Sequence, residues 1–168
     1  MVDSLINWFT STLSFMPKEM ISFIISMVPI LELRGGLIAS SLLGIGVVKA
    51  IVICILGNIV PIPFILFFIT PIFNYMKKTS LFRPLVEKLE QKSMAKSDQI
   101  KKYEFWGLAL FVGIPLPGTG AWTGALIAAL LEIDIKKASL SIFIGLIIAT
   151  VIMTFISYGI PFVIQVMA

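Results

Sequence analysis

The sequence predicts an all-α integral membrane protein: an inverted repeat in which each half is a re-entrant helical hairpin followed by a transmembrane helix. Three observations lead there. The chain is far more apolar than a soluble domain, with 58% hydrophobic residues, a mean hydropathy of +1.05 and only 13% charged residues, where about 25% is usual. Its two halves match when the sequence is slid by 88 positions. In both halves the first apolar segment is interrupted by proline and glycine.

The chain reads as one membrane domain, 1–168, in four parts. Residues 1–16 are apolar but short, with Asp3 as the only charge, no basic leader region and no Ala-x-Ala site. They read as an interfacial helix with Trp8 at the membrane surface, not as a cleaved signal. Repeat one is 17–76, a basic loop follows at 77–104, and repeat two is 105–168. Residues 50–76, 105–131 and 138–168 contain no Asp, Glu, Lys or Arg, and a spanning helix needs about 20 apolar residues. The loop holds Lys77, Lys78, Arg83, Lys88, Lys92, Lys96, Lys101 and Lys102, eight of the 13 basic residues, which predicts a cytoplasmic location. It suits a solvated, phospholipid-facing segment, with a surface-lying amphipathic helix carried by Leu85, Val86, Leu89, Ile100 and Tyr103. Nucleic acid is a poor partner for a membrane-tethered loop with few aromatics.

The repeat aligns Pro29 with Pro117, Gly36 with Gly124, Leu42 with Leu130, Ile45 with Ile133, Lys49 with Lys137 and Gly57 with Gly145. Apolarity alone does not pair prolines, glycines and lysines. Residues 20–46 are broken at Pro29, Gly35 and Gly36; residues 105–131 are broken at Pro115, Pro117, Gly118, Gly120 and Gly124. Proline removes a backbone donor, and irregular backbone at membrane depth is tolerated only inside protein or beside a wet cavity. Each segment is therefore expected to enter the bilayer, turn and return to its own side, with Lys49 and Lys137 snorkelling to the interface. One crossing helix at about 48–74 and another at about 137–165 then make the two hairpins enter from opposite faces, the arrangement in which broken helices build a substrate site. Four full spans, two of them kinked, are the rival, and the charge pattern does not separate the two.

Glu32 and Arg34 stand in Pro29-Ile-Leu-Glu-Leu-Arg-Gly-Gly36, between uncharged runs. A charge at bilayer depth costs roughly 2.5–3.5 kcal/mol by insertion scales, and such residues mark ion or substrate paths. Glu32 is expected to bind a proton or cation, with Arg34 tuning it or contacting an anion; the bland reading is a structural ion pair. On the second hairpin Thr119 and Thr123 are candidate hydroxyl contacts, and Trp122, aligned with Arg34, is a candidate stacking surface. Glu132 and Asp134 read as solvated interface charges beside Lys136 and Lys137. Asn58 is expected to hydrogen-bond a neighbouring helix, and the one cysteine, Cys54, to fill a small packing space. No histidine is present, no carboxylates are paired and no nucleophile has a base beside it, so an enzyme is not expected. No cofactor and no metal site is expected either, and no Walker-type loop supports ATP-driven transport.

Pro29-Ile-Leu-Glu-Leu-Arg-Gly-Gly36 and Gly113-Ile-Pro-Leu-Pro-Gly-Thr-Gly-Ala-Trp-Thr-Gly124 closely resemble the two signature segments of the small multidrug export protein family, itself distantly similar to the DedA/VTT membrane proteins. The resemblance covers about residues 20–165. It implies paired re-entrant loops in a bacterial or archaeal cytoplasmic membrane. It also implies proton-coupled transport of small molecules or, as the alternative, translocation of lipids such as undecaprenyl phosphate. DedA-type second hairpins carry arginine after the Pro-Gly motif, whereas residues 118–124 here carry no charge. Only Arg34 remains to grip a phosphate. Membrane lipids, a small-molecule or lipid substrate and a proton or cation are the expected partners. A homodimer would cover more of the broken backbone, and Gly57 and Gly145 would allow close helix contact, but the residues assign no interface. A scaffold role, with the charges serving only folding, completes the set of functions to be separated.

Overall fold

A computed structural model describes every residue except Met1, Ser14, 79–82, 95–96, Pro117, Glu132 and Ala168. The described residues are helical, without strands. The helices are α1 (Val2–Thr12), α2 (Lys18–Met27), α3 (Glu32–Leu42), α4 (Val47–Ile59), α5 (Pro61–Lys77), α6 (Arg83–Met94), α7 (Ser97–Gly113), α8 (Ala121–Leu130), α9 (Ile135–Thr154) and α10 (Ile160–Met167). A π-helical turn, Phe155–Gly159, links α9 to α10.

Two stretches are long and apolar enough to cross a membrane, Val47–Ile69 and Ile135–Val163, with mean hydropathies of 2.6 and 2.5. Only 39% of each is buried within the protein. The rest shows large apolar side chains at helical spacing: Val48, Val52 and Leu56 on the first, Phe143, Ile147, Val151 and Phe155 on the second. Stripes of this size are costly against water and natural against lipid tails.

The chain divides into two compact units, Met1–Pro61 with Leu146–Ala168, and Ile62–Gly145. In the first, α2 and α3 lie side by side after a short turn, and Gly36 faces Ser26 across them. Ile6 of α1 seals the apolar side of this pair together with Ile21, Ile25, Leu31 and Ala39. α4 packs against both hairpin helices. The approach is close because a Cβ at Gly57 would lie 2.5 Å from the Phe23 carbonyl oxygen.

In the second unit α8 folds back on α7, with Gly124 facing Leu108 and Val112, and the start of α9 lies against Ala109 and Val112 at Gly145. Within the basic stretch 77–104, where an amphipathic helix is expected through Leu85, Val86 and Leu89, α6 spans Arg83–Met94 and α7 begins at Ser97. Pro84 sits in the first turn of α6, where its missing donor is harmless. Arg83 Nε donates to Glu87 Oε1 at 2.8 Å one turn on.

The 88-residue repeat is visible in the local backbone. α3 ends at Leu42 and α8 at Leu130; the following residues, Leu43 and Leu131, share φ near −80 and −87° with ψ of 1°. Ile45 N donates to Ser40 O at 2.9 Å and Ile133 N to Ala128 O at 3.0 Å. α4 then starts at Val47 and α9 at Ile135.

Candidate functional site

The first hairpin turns where Pro29 requires it. The residue before a proline is pushed out of the helical region, and Val28, at φ −75° and ψ 129°, ends α2. Its carbonyl then accepts from Leu31 N at 3.1 Å and Glu32 N at 2.8 Å. Glu32 opens α3 at φ 50°, the one non-glycine residue with positive φ among the described residues. That conformation costs a side-chain-bearing residue about 1–2 kcal/mol. Leu31 and Leu33 on either side are 1% exposed and Glu32 itself is 5% exposed. A carboxylate is thus held in strained backbone within an apolar setting, and outliers of this kind concentrate at functional positions. Arg34 follows two residues on, half-buried, close enough to feel the Glu32 charge.

Gly35 and Gly36, expected to break the segment, lie within α3 instead. A Cβ at Gly36 would come within 2.9 Å of Cys54 Sγ, so its role is close packing. Gly124 is likewise helical and packs against Val112. The break in the second hairpin falls at 114–120 and contains Pro115, Gly118 and Gly120, with φ of 76° and 128° at the two glycines. Pro117 and Glu132 lie outside the described residues.

Thr119 Oγ1 donates toward Ile114 O at 2.9 Å and Leu116 O at 2.8 Å and accepts from Leu116 N at 3.2 Å, so its hydroxyl braces the loop. Trp122 and Thr123 are half-buried on the first turn of α8. Glu32 and Arg34 thus belong to the first unit, and Thr119, Trp122 and Thr123 to the second.

Charges at the hairpin's open end are conventional. Lys49 Nζ lies 2.7 Å from Glu19 Oε1, and this hydrogen bond holds the Glu19 carboxyl below its usual range. Asp134 is exposed, as expected of an interface charge, and also caps α9, accepting from Lys136 N and Lys137 N at 3.1 Å.

A polar seam lies inside the first unit. Ser22, Ser26, Ser40, Cys54 and Asn58 are all 0% exposed. Ser26 Oγ donates to Ser22 O at 2.8 Å, Ser40 Oγ and Cys54 Sγ stand 3.5 Å apart, and Asn58 Nδ2 reaches Ser26 O at 3.5 Å. The sequence carried a signal for this seam: Ser22 and Ser26, Gly36 and Ser40, Cys54 and Asn58 are each four residues apart, one face of a helix. No group of three His, Cys, Asp or Glu side chains gathers to hold a metal among the described residues.

Searches of curated proteins and of solved structures return no match. The family model described as "Putative small multi-drug export protein" matches residues 32–152, from Glu32 at the first hairpin tip through the second hairpin into α9. That is well over half of the chain, and it spans both proline- and glycine-rich signatures except Pro29–Leu31: the chain belongs to the small multi-drug export protein family.

Proposed function

We propose that the protein exports small molecules across the cytoplasmic membrane by coupling to an ion, with Glu32 taking up and releasing the coupling proton or cation. The observation that carries this reading is a carboxylate 5% exposed, on left-handed backbone, at the tip of a hairpin of two short helices. α2 and α3 have 10 and 11 residues. At 1.5 Å per residue they run about 15–17 Å, roughly half of the ~30 Å hydrocarbon core. We therefore read the hairpin as re-entrant, with both ends on one side of the membrane and Glu32 near mid-depth. A second re-entrant hairpin at α7–α8, separated from the first by one crossing helix, gives the inverted repeat. The positive-inside rule puts 77–104 in the cytoplasm. Family membership supports small molecules as the cargo. Arg34 offers a contact for an anionic group, and Trp122 and Thr123 are the second hairpin's candidates for substrate contact.

Proteoliposomes carrying an imposed pH gradient test the reading. Wild type should move a cationic dye against the proton flow, and Glu32→Gln should lose that movement while still inserting and folding. Dye transport with unchanged rate and pH dependence in Glu32→Gln would sink the reading. Gradient-independent lipid movement by wild type would instead make the protein a lipid translocase, with Arg34 the residue that meets the phosphate.

A further inference from the structure

We propose that the seam of Ser22, Ser26, Ser40 and Asn58 is a water-bearing path by which a small monovalent cation, a proton on water or sodium, travels inside the first unit to Glu32. The inference rests on the proposed role of Glu32 and adds the route and its residues. Polar atoms buried at membrane depth are normally paired within the protein. Ser22 Oγ and Asn58 Oδ1 are not: each is buried without a hydrogen-bond partner among the described residues. One requires an acceptor and the other a donor. Water supplies both, and a cation moving with water takes the same oxygens.

The seam's members adjoin one another: Ser26 Oγ donates to the Ser22 carbonyl oxygen and Asn58 Nδ2 to the Ser26 carbonyl oxygen, and Ser26 and Cys54 meet across the bare face of Gly36. Its direction follows from helix geometry. The Ser26 carbonyl points toward the C-terminal end of α2, which is the end where the turn to Glu32 begins. Asn58, held on that carbonyl, therefore lies on the Glu32 side of the Ser26–Gly36 crossing. Glu32 itself lies four residues before Gly36, at the start of α3.

The other end is closed by the π-helical turn: Ser41 Oγ donates to Ser157 O at 2.6 Å and Tyr158 Oη to Ile45 O at 3.0 Å. Ser157 Oγ there is a third buried oxygen without a partner. π-helical turns within α-helices gather at functional positions.

The protein's single cysteine, Cys54, sits in this seam and reports on it. Silver ion is small, monovalent and thiol-reactive. Proteoliposomes are treated with silver nitrate, then unfolded and alkylated, and the fraction of Cys54 still open to alkylation is read by mass spectrometry. A conducting seam leaves Cys54 blocked in wild type. Asn58→Leu and Ser22→Ala should each slow blocking by about tenfold, the scale of losing one buried polar partner. Unfolding would speed silver access, so a misfolded variant cannot imitate this result. Cys54 that stays fully alkylatable in wild type, or equal blocking rates in all three proteins, overturns the path. Replacing sodium with a bulky organic cation in the dye assay separates the two carriers: transport that persists assigns the proton, and transport that stops assigns sodium. Unblocked Cys54 with export lost in Glu32→Gln removes the path and leaves the transporter. Blocked Cys54 with normal export in Glu32→Gln does the reverse.

Discussion

In the first hairpin the chain turns within Val28–Leu31 and sets a glutamate at φ 50°. In the second it takes the longer stretch Ile114–Gly120, uses glycine for both positive-φ positions and braces itself with the Thr119 hydroxyl. The helices behind the turns end and restart on the same 88-residue register, with matching backbone angles and matching hydrogen bonds. A frame that is kept while its tip changes separates two demands on the sequence. Helix ends and close-packed glycines serve folding and recur. The charged tip does not recur, and strain is accepted there on a glutamate where the second hairpin avoids it with glycine. The position aligned with Glu32 is Gly120, and the position aligned with Arg34 is Trp122. The comparison sets the first tip apart as the one that carries both charge and backbone strain.

The largest effect should come from breaking the shared frame. A Cβ at Gly57 would stand 2.5 Å from the Phe23 carbonyl oxygen, and one at Gly145 would stand 2.6 Å from that of Ala109. Backbone cannot yield as a side-chain end can. Gly57→Ala and Gly145→Ala should each destabilise the protein by about 1–3 kcal/mol, read as a lower unfolding midpoint in detergent. Gly46→Ala, which meets open space, is the control and should lose nothing. A large loss at one glycine and none at its counterpart would break the equivalence of the two hairpins.

The tips are compared by releasing the strain. Glu32→Gly removes both the carboxylate and the penalty for a side chain at φ 50°. It should raise stability by about 1 kcal/mol while abolishing export. Glu32→Gln should abolish export without that gain, because the strained backbone stays. A stability loss in Glu32→Gly would mean that the carboxylate holds the tip together, which is the structural ion-pair reading.

Much of this was legible in the residues. Charge-free runs mark the two stretches long and apolar enough to cross a membrane, and paired prolines, glycines and lysines mark the repeat. Pro29 marks the first turn because its effect on Val28 is local and steric. Glycine was ambiguous: Gly35 and Gly36 read as breakers, yet a helix that must approach another closely selects the same residue, and only the neighbours distinguish the two uses. The 83–94 helix was half-visible in its apolar spacing and masked by its charge. The Ser–Cys–Asn seam showed only in its four-residue spacing, because small polar residues barely lower hydropathy. The left-handed backbone at Glu32 has no sequence signal, since glutamate rarely adopts it.

The smallest effect tests the restart of the chain after each hairpin. Asp134 caps α9, while Gly46, its counterpart in the repeat, gives α4 no side-chain cap. Gly46 already has the backbone of a capping residue, at φ −59° and ψ 142°, with no atom near the place a Cβ would take. Gly46→Asp should therefore stabilise by about 0.5–1 kcal/mol through a new cap and a less flexible unfolded chain, and Asp134→Ala should cost about 1 kcal/mol. Gain and loss of similar size would show that the two junctions are interchangeable, so that a residue from one half works in the other. No gain at Gly46 would mean that Lys18, which reaches the Gly44 carbonyl oxygen at 3.3 Å, and the Glu19–Lys49 pair already fix that junction. The first half would then hold its helix by side chains from α2, where the second half does so with one aspartate.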